Sequence, residues 1–514
     1  MILWYNTRMK KIILMLLSCG AVLGTRAAPF VTYEEFGAVG DGKTDDQNAI
    51  VAAHAAANAK GLPVRATAGK TYYIGKGSKT AIIKTDVDFG TAKFIIDDVG
   101  CEKYTASIFS VVPSRKPVPV TGIGALETSV KRIEAKLPGA CLLSLENNTV
   151  RHFIRYGANQ NNGTAQREMV LVDAKGRIDP QTPLTQAFKT VTKALAFPLE
   201  AKPLTITGGH FTTIANQCAS HYNYHARNIN VNRSNVRLIG LRHDVTGELD
   251  HGAPYGGFIS VSACANVVVS NCILTAHRTY RTIGSAGRPV SMGSYDLNCG
   301  NAVNVSYINC RQTTDINDSR YWGLFGSNFC RNLLFDHCSF SRFDAHMGVA
   351  NATVRHCELG HMGINAIGFG TFLVEDTTVH GNGAFFNLRE DYGSTWRGDF
   401  IIKNCVFKPR NKWGVQIVGG HHNGKHDFGY PCFMPRRLIV DGLTIDDSRI
   451  PQEAGGPYIF GNLKPGDKPG AAPEPFPYTV TEEVVLRNVK VLSGKPIKIS
   501  PNPHTFRNTK VTRQ

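Results

Sequence analysis

Apolar positions along this chain fall into short runs of four to six residues, each closed by a polar residue and then a cysteine or aliphatic side chain. The phrase reads Val-Arg-Leu-Ile-Gly-Leu at 236–241, Val-Val-Val-Ser-Asn-Cys at 267–272 and Val-Ser-Tyr-Ile-Asn-Cys at 305–310. Leu-Phe-Asp-His-Cys at 334–338 follows, and further copies end at Cys357, Thr377, Cys405, Leu443 and Val489. Runs of this length, alternating or continuously apolar, predict strands buried on at least one face. The copies stand 19 to 46 residues apart. The shortest spacing suits one turn of three short strands, and the longer ones the same turn with loops inserted. Such self-similarity predicts a solenoid in which each coil packs only on its neighbours.

Stacking the copies puts Cys272, Cys310, Cys338, Cys357 and Cys405 in one column, with coils about 4.8 Å apart. The preceding column holds Asn271, Asn309, His337, His356, Asp376, Asn404 and Asn488. Side-chain amides in such a column can hydrogen-bond from rung to rung. The cysteines read as small, packed interior residues. No Cys-x-x-Cys pair marks a metal site among the 13, and one or two disulfides remain open elsewhere.

Near the front lies Phe36-Gly-Ala-Val-Gly-Asp-Gly-Lys-Thr-Asp-Asp-Gln-Asn-Ala-Ile50, running into an Ala-rich segment at 49–60. Thr44 or Asp45 is placed to cap a helix there. Gly-Asp-Gly lacks the spacing of a phosphate loop. This phrase resembles the N-terminal signature of the pectate-lyase superfamily, whose members close the end of their solenoid with it. The resemblance implies an all-β solenoid, a right-handed parallel β-helix with a short N-terminal α-helical cap. It does not fix the reaction, because lyases, hydrolases, epimerases and tailspikes share the cap. Among these, the overall design is similar to the secreted bacterial polysaccharide lyases that act on glycosaminoglycans such as chondroitin sulfate.

Lys10-Lys11, an apolar run from Ile12 to Leu23 and Ala27-Ala28 have the layout of a secretory signal peptide. The expected organisation is therefore a signal peptide over 1–28, cap and first strands over 29–80, and β-helix with loop insertions over 81–514. Cleavage and release to the periplasm or exterior is favoured over lipid anchoring at Cys19. No second long apolar stretch predicts a transmembrane segment. Removing residues 1–28 takes away four cations and no carboxylate, so the formal charge falls from +17 to +13. Such a balance calls for an anionic partner. Export and the lack of a dense Lys/Arg tract argue against nucleic acid; an acidic polysaccharide fits both facts, with a basic surface kept for solubility as the alternative.

Register then gathers the candidate chemistry. Two residues past each column position lie Leu274, Phe340, Leu359, Val379, Phe407 and Ile445, which should face inward. Beyond them a ridge collects His277 and Arg278, Asp315, Arg342 with Asp344 and His346, His361, His380, Lys408 and Arg410. Loops between copies add Arg320-Tyr321-Trp322, Arg389-Glu390-Asp391-Tyr392 and Trp396-Arg397, and upstream His243, Glu248, His251 and Tyr255. Aromatic faces stack on sugars, while Arg grips carboxylates or sulfates in a fork.

Eliminative cleavage of a uronate polymer needs a group that neutralises the carboxylate, a base for the adjacent C–H and an acid for the departing oxygen. The run Ser341 to His346 is the expected centre: Arg342 neutralising, His346 or His361 as base and Tyr321 as acid. Arg320, Trp322, Asp344, His277, Arg389, Tyr392, Trp396 and His243 are expected to bind substrate. Neutralisation by arginine is favoured over Ca²⁺, although an ion near Asp344 stays open. A hydrolase needs two or three carboxylates across the bond. The polygalacturonase motifs are missing, so a hydrolase is the runner-up, and a non-catalytic glycan-binding solenoid is the third reading.

Overall fold

The computed structural model describes residues 29–411, 414–421, 427–463 and 478–514. The expected signal peptide and Cys19 lie outside them, as do residues 464–477 of the Pro/Gly-rich stretch at 450–480.

Among the described residues the regular secondary structure is nearly all strand, with one 14-residue α-helix, Gln47–Lys60. A 28-stranded sheet contains the solenoid, and its strands pair in parallel from one coil to the next. One ladder shows the register across nine coils: Leu238, Val269, Tyr307, Phe335, Val354, Val374, Ile402, Val440 and Leu486 are successive partners. All are buried, because each apolar run faces the one above and below it. A second face carries the ladder Ile259, Leu297 and Phe325. A third carries Phe340, Leu359, Val379, Phe407 and Ile445, inward as their register predicts. A parallel β-solenoid with three faces is the result.

The corners explain the asparagines. Asn271, Asn309, His337, His356, Asp376, Asn404 and Asn488 all adopt positive φ, between 46° and 54°. This left-handed conformation turns the chain from one face to the next, and Asn and Asp tolerate it best. Asn309 also donates its amide to Asn271 Oδ1 at 2.7 Å. A second column, Asn235, Asn266, Asn304, Asn332 and Asn351, does the same with side-chain bonds of 2.9–3.1 Å on every rung. The cysteine column is buried. Every described cysteine is a free thiol, so the disulfides left open elsewhere do not form.

The cap forms as its signature implies. Asp45 accepts the Gln47 N–H at 3.0 Å, but the N-cap residue is Asp46, whose carboxylate is turned back to the amides of Val39 and Gly40. Ala49, Ala53 and Ala57, one helical turn apart, bury against the end of the solenoid. Gly61 closes the helix in the left-handed region, at φ 65°.

A structural excursion interrupts the coils between strands Phe109–Val111 and Leu204–Ile214. Strands Val118–Val120, Cys141–His152, Thr164–Val172 and Lys193–Pro198 form a four-stranded antiparallel sheet. It has its own core around Leu143, Leu145, Val170 and Phe188. A buried ion pair between Glu168 and Arg331 ties it to the solenoid, and Phe153 packs with Phe329, Ile367 and Tyr392.

Candidate active site

Strand Ser339–Arg355 positions the centre. Phe343 and Ala345 point into the core, so Arg342, Asp344 and His346 point outward by alternation. A register shift between Phe340 and Arg342 marks the corner where the strand passes from one face to the next. Asp344 starts a column of its own: its partners on the following coils are Asn365, Asn387 and Gly419. Asn387 donates to Asn365 Oδ1 at 2.7 Å. From Asn365 onward this column floors a cleft of about 940 Å³. The cleft's walls come from excursions: Arg155 to Asn159 of the inserted sheet, Tyr222 and Tyr224, the hairpin strand Pro289–Ser291, and the short helix Glu390–Tyr392.

Three arginines face this space. Arg342 is ion-paired with Asp344 and lies over the rings of Trp322 at 5.4 Å and Tyr295 at 5.7 Å. A Cβ on Gly323 would stand 2.8 Å from Arg342 Cβ, so glycine is what lets the arginine pass. Arg155 and Arg389 share one carboxylate, Asp391, each with a 2.7 Å bond, and both lie over the ring of Tyr392. Two cations on one carboxylate leave a net positive charge for an anionic ligand.

His346 sits among them. Its Nδ1 is 2.7 Å from Asn328 Oδ1; with the amide oriented this way, Nδ1 carries the proton and Nε2 the lone pair. Tyr392 meets the ring edge-on, with centroids 5.4 Å apart. Burial, then the charges of Arg389, Arg155 and Arg342, push its pKa well below the ordinary imidazole value. The ring is a neutral base at physiological pH. Tyr224 feels Arg155 and Arg342 as well, but burial dominates and pushes its phenol pKa far up, so it keeps its proton.

Of the residues expected from the sequence, Arg342, His346, Trp322 and Arg389 line the cleft. Tyr392 lies beneath it, buried, as the packing partner just described. Asp344 is buried too, against Arg342. Its Oδ2 is taken by Arg342, while its Oδ1 has no hydrogen-bond partner among the described residues. His361 Nε2–H donates to the carbonyl of Tyr321 at 3.1 Å, and neither residue lines the cleft. Arg320 is exposed and bound to Asp318.

Three expected binding residues are interior. Trp396 has no exposed surface; it packs against Phe372 and Phe400 and donates its indole N–H to Gly370 O at 2.8 Å. His243 and His277 belong to a buried network around Asp296. His243 Nδ1 is 2.7 Å from Asp296 Oδ1, and His277 Nδ1 is 3.0 Å from Glu248 Oε1. Their rings stack on Phe258 and Tyr255. Burial alone would lower the pKa of His277, but the hydrogen bonds and charges of Asp296 and Glu248 override it and raise the value to about 9. These side chains hold coils together and present no face to a polymer.

The cleft also contains residues the sequence reading passed over: Arg155, Tyr222, Tyr224, Tyr295, Asn365 and Asn387. Arg155-Tyr156 carries the same cation–aromatic pairing as Arg320-Tyr321, and Tyr222-Asn223-Tyr224 is a close aromatic pair. Both lie outside the repeat, where no register connects them to the coils.

No family model and no curated protein matches this chain. Among solved structures it is similar to the Pseudomonas phage phi297 tailspike gp61, at 12% identity and a TM-score of 0.53, over 90% of this chain and 81% of that one. That likeness shows a shared fold. The Gp54 tailspike of Acinetobacter baumannii bacteriophage AP22 superposes with a TM-score of 0.48 at 12% identity, over 91% of this chain and 74% of the other. The A-module of the Azotobacter vinelandii mannuronan C-5 epimerase AlgE4 gives 0.36 at 11%, over 94% and 99%. No helix among the described residues is long and apolar enough to cross a membrane.

Proposed function

We propose that this chain is an exported polysaccharide lyase, built on a right-handed parallel β-helix, which cleaves a uronate-containing polymer by β-elimination. The observation that carries the reading is a neutral His346 imidazole set among Arg342, Arg389 and Arg155 in one cleft.

The arginines neutralise the uronate carboxylate, which acidifies the neighbouring C–H. Nε2 of His346 takes that proton, and the carbon–oxygen bond to the next sugar breaks as a C=C bond forms. Tyr224 gives its phenolic proton to the departing oxygen in place of Tyr321, which stands off the cleft. Trp322, Tyr295 and Tyr222 offer rings to the sugars, and Asn365 and Asn387 offer amides. A formal charge of +13 on the chain without residues 1–28 favours glycosaminoglycans such as chondroitin sulfate or hyaluronan over pectin or alginate.

Incubation with chondroitin sulfate, hyaluronan, heparin, pectate and alginate, followed by ultraviolet absorbance of the unsaturated uronate, tests this. A rise with one polymer, lost in His346→Ala, supports the lyase. Glu390 and Asp391 also line the cleft, which favours a hydrolase as the second reading. New reducing ends without absorbance would put it first, while binding without either product would favour a non-catalytic solenoid.

A further inference from the structure

At the corner columns most rungs carry asparagine, whose amides bond to one another. Two consecutive rungs break the pattern with imidazoles: His337 and His356 both hold the left-handed corner conformation, at φ 54° and 52°, and Asp376 follows on the next coil at 46°. Their rings lie 4.6 Å apart and are partly open to solvent. Around them stand carboxylates. Asp336 Oδ1 is 2.7 Å from His337 Nδ1, and Asp376 Oδ2 is 3.7 Å from His356 Nδ1. One donor atom from each of Asp336, His337 and His356 lies within 4.8 Å of the others.

An asparagine here would complete the ladder, and a histidine does not. What two neighbouring imidazoles and a buried carboxylate provide is a donor set for a cation. We propose that Asp336, His337 and His356, with Asp376 at the rim, form a binding site for one divalent transition-metal ion of the zinc or nickel class. Nitrogen donors favour such ions over Ca²⁺ and Mg²⁺, which take oxygen. Zinc holds histidine nitrogens at about 2.0–2.1 Å, so the donors draw together on binding, which the exposed histidine side chains allow. Arg355 fixes the other oxygen of Asp336, with bonds of 3.0 and 2.7 Å to Oδ2, and so presets the carboxylate. The ion bridges two successive coils and staples them. This corner lies outside the cleft and takes no part in the proposed elimination.

The test uses the chain's own ladder residue. In His337→Asn/His356→Asn the corner keeps a side chain suited to positive φ, so the coils remain folded, as the far-ultraviolet spectrum and melting temperature without metal report. Titrating Zn²⁺ into metal-free protein by calorimetry should give one site, with a higher melting temperature. The double variant should weaken binding by more than about 100-fold, since even an outer partner of a metal ligand is worth ~10–100-fold, and should lose the melting shift. Ca²⁺ should give no shift in either protein. Absence of Zn²⁺ binding in the unmodified chain, or equal binding in the double variant, overturns the proposal. Should the double variant fold poorly, Asp336→Asn, which keeps both rings, provides the second comparison: unchanged Zn²⁺ affinity there also counts against the site.

Discussion

Arg342 and Asp344 stand two residues apart on one strand and form an ion pair closed to solvent, with 2% and 0% exposure. Both side chains point away from the core, yet Trp322 and Tyr295 roof the arginine. A buried carboxylate here offsets the cost of an arginine that the cleft requires. Asp344→Ala should destabilise the fold by about 3–5 kcal/mol, the usual cost of orphaning one member of a buried pair. Replacing both with apolar residues of similar volume should restore much of it. Urea denaturation of the single and paired variants measures this; equal midpoints for Asp344→Ala and the parent chain would count against the pairing.

For His346 the pH dependence has a definite sign. In the proposed elimination the base is the neutral imidazole, and burial first, then the nearby arginines, hold its pKa well below the ordinary value. Activity should persist below the ordinary histidine range and fall only as pH drops through the depressed value. Removing one positive charge eases protonation, so Arg389→Gln should move the acid limb of kcat/KM to higher pH. An acid limb that stays in place or moves down contradicts the arrangement.

Gly323→Ala should act at a distance from the chemistry. The added Cβ would stand 2.8 Å from Arg342 Cβ and force the arginine aside. A loss of kcat/KM of ~10–100-fold is expected, because small misplacements of a positioning group cost that much. Melting and turnover together separate this from unfolding; unaltered turnover would mean that the guanidinium has room to spare.

The buried network at Asp296 links stability to alkaline pH. The pKa of His277 is raised to about 9, so its contribution is complete below about 6.5, the unfolded value. It is lost as pH rises from there through 9. The loss amounts to about 3 kcal/mol at most, since one pKa unit is worth about 1.4 kcal/mol. His277→Gln should flatten the decline in unfolding free energy between pH 6.5 and 9; an equally steep decline in that variant would assign it elsewhere.

Asn332 tests the corner rule. Its φ is 55°, and its amide bonds to Asn304 at 2.9 Å and to Gln181 O at 3.1 Å. Asn332→Ala should cost about 2–3 kcal/mol, combining left-handed strain with lost hydrogen bonds. Asn332→Gly removes the strain and should cost less. The order of the two midpoints is the readout, and alanine equal to or better than glycine would refute it.

The periodicity by itself determined the stacked coils, because a column of mostly asparagine corner residues and a matching apolar run are satisfied together by stacking. Phe340, Leu359, Val379, Phe407 and Ile445 follow from that counting alone, and so does the outward direction of Arg342 and His346. The inserted sheet escaped it: Leu143, Leu145 and Val170 make a core of their own in antiparallel register, with no repeat to mark them. Tertiary structure alone decided which outward residues share a cleft. Arg155 meets Asp391 across 236 positions of chain, whereas Trp396 and His277, equally polar-tipped and equally close to the ridge in sequence, turn inward. Register fixes a side chain's rung and face. Whether a loop then covers it, or opens it to a polymer, depends on contacts between segments that have no common period.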